Sequence, residues 1–289
     1  MKVVGFSFIN NAVKYNYPIV EALKSILPLC DEVIVAVGDS KDGTRELVAA
    51  IDPKVTIIDT VWDDTIREGG RILAVETDKA FQAIPDDADW CVYIQGDEVL
   101  HEDGIPAVRA AMEKWLDHKE VDGLLLNYRH FYGSYEYVGA EGRWYRHEIR
   151  VVRNNKSIYS YRDAQGFRKG NNEKLRVKPV NAFIHHYGWV QEPKVIKLKC
   201  IAKDKIMYNK EGDEENIVVP EDYTESLVNA LEIYKGTHPK VMQPRVDAQY
   251  WTFRYDFSKS HLTFKDRFKN LIEKLTGKRP FDYKNYRII

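Results

Sequence analysis

The residues Gln95-Gly96-Asp97-Glu98 close an apolar run, Trp90 to Ile94, within "WCVYIQGDEVLHE" over 90–102. A run of that length buries readily as a strand; two adjacent carboxylates at its tip do not. Hard divalent cations such as Mg²⁺ and Mn²⁺ take oxygen ligands and often bridge one or two carboxylates to substrate phosphates. Asp97 beside Glu98 therefore points to a cation that grips a diphosphate and neutralises charge developing on it as a leaving group. The competing reading is structural, with either acid capping the helix expected near Ile105 or standing in water. Arg71 follows Gly69-Gly70 at the start of a helical stretch. A glycine-preceded helix N-terminus with a guanidinium suits a phosphate, and a plain surface arginine is the alternative.

These groups need elements to hold them. Short apolar runs at 3–9, 32–37, 54–58 and 90–94 read as strands. Between them Ile19, Val20, Leu23, Ile26 and Leu27 form a helical stripe after Pro18, "RELVAAI" continues as helix, and 69–84 reads as helix. The alternation predicts an α/β fold, a doubly wound, mostly parallel sheet with helices on both faces. Ligands of such sheets bind beyond the carboxyl ends of the strands. Three tips share that rim: Asn10-Asn11, Gly38-Asp39-Ser40 and Gln95 to Glu98. Beyond residue 120 the pattern changes to aromatic strands, with "NAFIHHYGWV" a short strand and turn. From Pro193 onward it reads as helical, including "KVIKLKCIAKDKIMY" and "YTESLVNALEIY". The expected division is a catalytic body over 1–200 and a helical C-terminal extension over 201–289 packed on it.

Composition narrows the partners. The chain has 289 residues, 44% hydrophobic and 30% charged, enough for a sizeable core. A net charge of −1 gives no field for nucleic acid. The 18 Tyr and 6 Trp suit a carbohydrate or nucleotide site, and equally an aromatic-packed sheet. Three cysteines, far apart and odd in number, make a reducing cytoplasm the simplest home. No segment reads as a signal peptide or membrane span. The stretch 258–289 carries nine Lys/Arg against three Asp/Glu. Its apolar residues Phe264, Phe268, Leu271, Ile272 and Leu275 either dock on an anionic membrane near a lipid-linked acceptor or, as favoured, pack on the body.

The order "DEVIVAVGDSKDGTRELV" (31–48) then "DADWCVYIQGDEVL" (87–100) resembles the family 2 inverting glycosyltransferases of the GT-A fold, over roughly residues 1–200. The resemblance implies transfer of a sugar from a nucleotide diphosphate sugar to an acceptor hydroxyl, of a saccharide or glycolipid, with divalent Mn²⁺ or Mg²⁺ on the diphosphate. Cell-surface polysaccharide or glycolipid synthesis is the expected setting. The chain departs from the family where Val37 and Gly38 stand in place of a base-reading acid, leaving Asp39 nearest. Gln95 replaces the first acid of D-x-D, leaving Asp97 as the matched carboxylate and Gln95 as a partner for ribose or phosphate. The double His of "FIHHYGWV" resembles a turn that returns a histidine to the metal; His186 is favoured and His185 is the alternate. Asp163, in "SIYSYRDAQGFRKG", lies in a stretch that resembles the segment where related enzymes place their acceptor-side acid, though the usual His-Glu pair is absent there, and it is the first choice of general base. Glu148 is the second, with an ion pair to Arg146 or Arg150 as its structural reading. Nucleotidyl transfer is disfavoured because the loop after the first strand, "NNAVKYNYP", lacks glycine. A non-catalytic nucleotide-sugar binder stays open because of Gln95.

Overall fold

The computed structural model describes residues 1–220, 223–276, 279–280 and 283–289. Strands β1 (Val3–Ile9), β2 (Glu32–Gly38), β3 (Val55–Thr60) and β4 (Trp90–Tyr93) alternate with helices α1 (Ile19–Ile26), α2 (Thr44–Ala49) and α3 (Arg71–Gln82). The four strands pair in parallel in the order β3-β2-β1-β4. β1 and β2 are buried along almost their whole length because helices cover both faces of the sheet. On one face α1 inserts Ile19, Ala22, Leu23 and Ile26, each fully buried. A fully buried aliphatic side chain contributes about 1.5–3 kcal/mol. On the other face α3 packs Ala80 and Phe81 against Phe6 and Tyr93. The expected α/β class, with helices on both faces, is the observed one.

Past β4 the chain turns back through β5 (Glu98–Leu100) into α4 (Ile105–Lys114). Antiparallel strands then extend the sheet: β6 (Gly123–Tyr132), β7 (Ser134–Gly139) and β8 (His147–Arg153), the last beside β4. A separate hairpin sheet, β9 (Ile158–Tyr161), β10 (Gly166–Lys169) and β11 (Glu173–Lys174), lies on the α3 side. β12 (Arg176–Trp189) follows; it runs parallel to β6 and antiparallel to β5, setting His186 opposite Glu98. This strand has 14 residues, where a short strand and turn are expected from "NAFIHHYGWV". It reaches that length because β5 and β6 offer it partners on both edges.

Helix α5 (Pro193–Tyr208) forms as expected. The helical reading of 223–234 does not hold. Only α6 (Tyr223–Ser226) is helical, and β13 (Leu231–Ile233) joins the sheet at β7. Glu232 and Ile233 stay exposed, so the apolar spacing there was that of an edge strand. The chain continues through α7 (Gln243–Asp247) and α8 (Phe264–Thr276), and β14 (Arg287–Ile288) pairs with the start of β12. Among the described residues, the segment beyond residue 200 thus adds two strands to the body besides its helices. Positions 277, 278, 281 and 282 of its basic stretch lie outside the described residues. Among the described residues no helix is long and apolar enough to cross a membrane.

Candidate active site

A cleft of about 530 Å³ opens where the carboxyl ends of the parallel strands meet β12 and α5. Asn10 from the tip of β1, Asp97 from the β4–β5 turn, and His186 and Gly188 from β12 all line it. α5 closes one side by presenting Lys199, Lys203 and Ile206, residues three and four apart that share a helix face. The amides of Gly69 and Gly70 fix that helix by donating to the carbonyls of Met207 and Ile206 at 3.0 and 3.2 Å.

Asp97 sits at the centre. Its Oδ2 lies 3.5 Å from His186 Nε2 and 3.8 Å from Lys199 Nζ. Lys199 donates to the Gly188 carbonyl at 2.6 Å, and its ammonium lies 4.1 Å from the Tyr17 ring centroid. Burial alone would raise the Asp97 carboxyl, but the facing His186 and Lys199 outweigh it and hold it well below the usual range. Burial pushes the Lys199 ammonium down, and Asp97 opposes that shift. A Cβ on Gly188 would lie 2.5 Å from Asp97 Oδ2 and 2.7 Å from His186 Nε2. The glycine therefore lets Asp97 Oδ2 and His186 Nε2 converge against this strand, where any side chain would collide with both. This donor set fits a divalent cation that completes its shell with phosphate oxygens and water.

Asp163 enters from the turn of the β9–β10 hairpin and also lines a smaller side pocket of about 150 Å³ with Gln95, Asp97 and Trp62. Its neighbours Arg162 and Ala164 adopt φ of 56° and 62°. A left-handed backbone in such residues costs on the order of 1 kcal/mol or more each. Gln95 supports the turn, its amide donating to the Ala164 carbonyl at 3.0 Å and to Tyr93 Oη at 3.2 Å. Gln165 donates to Asp163 Oδ1 at 2.9 Å. Gln95 thus holds the hairpin tip against the cleft.

Glu98, His185, Glu148, Asp39 and Arg71 are not brought into the cleft, and Gln95, expected at the ribose or phosphate, lines only the side pocket. Glu98 points the opposite way from Asp97 and is fully buried. There it accepts from Arg150 Nε and Nη2, at 2.7 and 2.5 Å, and from the Tyr128 hydroxyl. The acidic pair is therefore one site acid and one core acid, not two ligands at one tip. His185 faces away from His186 in the same manner, buried against Arg129 and Tyr187. Glu148 is buried beneath the hairpin, 3.9 Å from Arg150 Nη1, with no hydrogen-bond partner for Oε2 among the described residues. Asp39 is exposed and lines none of the cavities described. Arg71 faces an adjacent hollow with Asp78 and Arg162, sharing Asp163 with the cleft. His101, Glu102 and Asp103 cluster within 4.8 Å, but His101 is already spent on Thr237 and the Asp103 amide.

Two residues escape sequence reasoning. Lys199 lies in a helix with several other lysines and nothing in the chain distinguishes it. Trp62 follows β3, lines the cleft, and keeps a buried indole N–H with no acceptor among the described residues. Its position just past a strand tip was the available signal.

No family model matches the chain, and no curated protein matches it. Among solved structures it is similar to S. aureus TarS at 15% identity and a TM-score of 0.40, over 74% of this chain and 41% of that one. It is similar to glucosyl-3-phosphoglycerate synthase from Mycobacterium tuberculosis, solved with Mn²⁺, uridine diphosphate and phosphoglyceric acid, at 18% identity and a TM-score of 0.31. That match covers 45% of this chain and 43% of the other. A third, 4-diphosphocytidyl-2C-methyl-D-erythritol synthase from Anaerococcus prevotii, stands at 11% and 0.39, over 68% and 95% of the two chains. The matches span less than half the length of the first two proteins.

Proposed function

We propose that the protein is an inverting glycosyltransferase that moves a sugar from a nucleotide diphosphate sugar to an acceptor hydroxyl of a saccharide or glycolipid. The observation that carries the reading is the convergence of Asp97, His186 and Lys199 around Gly188, in a cleft that Asp163 also enters. Asp97 and His186 would hold the divalent cation, and that cation, when bound, neutralises charge on the leaving diphosphate. Buried His130, held neutral first by burial, faces His186 Nδ1 at 3.3 Å and suits the task of orienting a ligating imidazole. Lys199 adds a fixed positive charge for the diphosphate, and Asn10 offers its amide at the nucleotide end. Asp163 takes the proton from the acceptor hydroxyl. The new bond from acceptor oxygen to anomeric carbon forms as the bond to the phosphate oxygen breaks, and the electron pair leaves with the nucleoside diphosphate. Arg71 and Asp39, outside the cleft, have no step in this scheme, and Glu148 is too enclosed to reach an acceptor.

The test separates binding from chemistry. Thermal shift against a panel of nucleotide diphosphate sugars, with and without Mn²⁺, should reveal a stabilising donor. Asp97→Asn should lose the Mn²⁺-dependent part of the shift. Asp163→Asn should keep it but lose turnover by roughly 10²–10⁴-fold. A metal-independent shift with no transfer in the native protein would make the chain a binder instead.

A further inference from the structure

Helix α8 is turned inside out relative to an ordinary surface helix. Phe264 is 86% exposed, Phe268 48%, Leu271 55% and Leu275 75%. At 100° per residue these four and Ile272 fall on one stripe, so the exposed residues form a continuous apolar face. The polar side holds the helix to the body instead. Asn270 donates to the Ala140 carbonyl, Glu273 lies 3.4 Å from Arg146 Nε, and Asp266 lies 3.7 Å from Arg279 Nη2. Both acids of the helix are therefore turned inward. Lys265 borders the apolar stripe on one side and Arg267 and Lys274 on the other, all three exposed.

We infer that α8 is a docking element for an anionic lipid surface. The favoured sequence expectation, an apolar face packed on the body, requires those side chains to be covered, and they are not. A contiguous exposed apolar face is costly in water unless something covers it. The occupant follows from charge. A second copy meeting face to face would set Lys/Arg borders against Lys/Arg borders, whereas a bilayer with anionic headgroups meets both borders with opposite charge. The stripe from Phe264 to Leu275 runs about 17 Å along the helix by helix rise. The helix lies in the interface, apolar residues among the upper acyl chains and the three cations at the headgroups.

Co-sedimentation of the full chain with phosphatidylcholine vesicles, with and without phosphatidylglycerol, tests this. Binding should require the anionic lipid; at about fivefold per basic side chain, three supply about a hundredfold preference. Raised salt should reduce that preference. Phe268→Ser with Leu271→Ser should abolish binding, and Lys265→Glu with Lys274→Glu should remove the lipid preference. Leu271→Trp gives a second readout: its emission, as the difference from native protein, should move to shorter wavelength with anionic vesicles only. Native protein that stays in the supernatant with both vesicles, or binding unaltered by the Ser variant, overturns the inference. So does a native dimer that the Ser variant converts to monomer in sedimentation velocity without lipid, or binding to an acidic polypeptide in place of vesicles.

Discussion

At the scale of single residues, neighbouring side chains of like chemistry acquire opposite roles from the face on which they stand. Asp97 reaches the cleft and its neighbour Glu98 reaches the core, because adjacent residues entering a strand project to opposite sides. Glu148 shows the cost of such placement. Burial, partly opposed by Arg150, raises its carboxyl from an ordinary 4.5 to about 8. Protonated Glu148 is therefore the form that the fold favours. The folded state binds more protons than the unfolded one between those values, so stability is fullest below about 4.5 and is lost as pH rises through about 8. Replacement by Gln should flatten this limb. The melting temperature of Glu148→Gln, relative to native, should rise as pH is taken from about 5 to about 8. A native–variant difference that does not change with pH would show that the carboxyl ionises freely in the fold.

Elements transmit these placements. β12 carries His186 to the cleft and His185 to a buried aromatic cluster that ties the sheet to the segment after β13. There His238 Nε2 donates to the Tyr135 carbonyl at 3.1 Å, leaving Nδ1 to accept from Tyr187 Oη at 2.8 Å. His185 Nδ1 then donates to Tyr187 and its Nε2 accepts from Arg129. The chain of donors and acceptors closes only with both imidazoles neutral. Burial lowers both, His238 to about 4. A depressed histidine contributes stability above its unfolded value near 6.5 that is lost as pH falls towards about 4. Acid should therefore loosen residues 231–247 first, seen as faster amide exchange there than in β1 and β2. His238→Gln should reduce the acid sensitivity; an unchanged acid limb would put the titration elsewhere.

At the scale of the whole molecule, the segment after α5 straps the cleft. Lys14 meets Glu214 at 2.6 Å and Arg67 meets Glu211 at 2.6 Å, joining it to the loops after β1 and β3. Both pairs are substantially solvent-exposed, and exposed pairs contribute only about 0–1 kcal/mol each. The strap should therefore open at little cost and admit ligand. Lys14→Ala with Arg67→Ala should speed tryptic cleavage at Lys210 severalfold while the melting temperature barely moves. A cleavage rate that stays the same would mean that other contacts hold the segment.

The amino-acid sequence by itself determined the α/β alternation, the strand tips that share a rim, and the candidacy of Asp97, His186 and Asp163. The alternation, the rim and Asp97 follow from local periodicity and from polar residues ending apolar runs, both written in neighbouring positions; His186 and Asp163 were candidates through the family resemblance alone. Tertiary structure alone decided that Lys199 faces Asp97, that Gln95 braces the hairpin tip, and that Glu98, Glu148 and His185 belong to the core. It also turned the apolar stripe of α8 outward and made β13 from apparent helix. Each of these depends on partners tens to hundreds of residues away, such as Asp97 with Lys199 or β13 with β7. Periodicity reports which residues share a face; which face meets water is settled by what the rest of the chain packs against it.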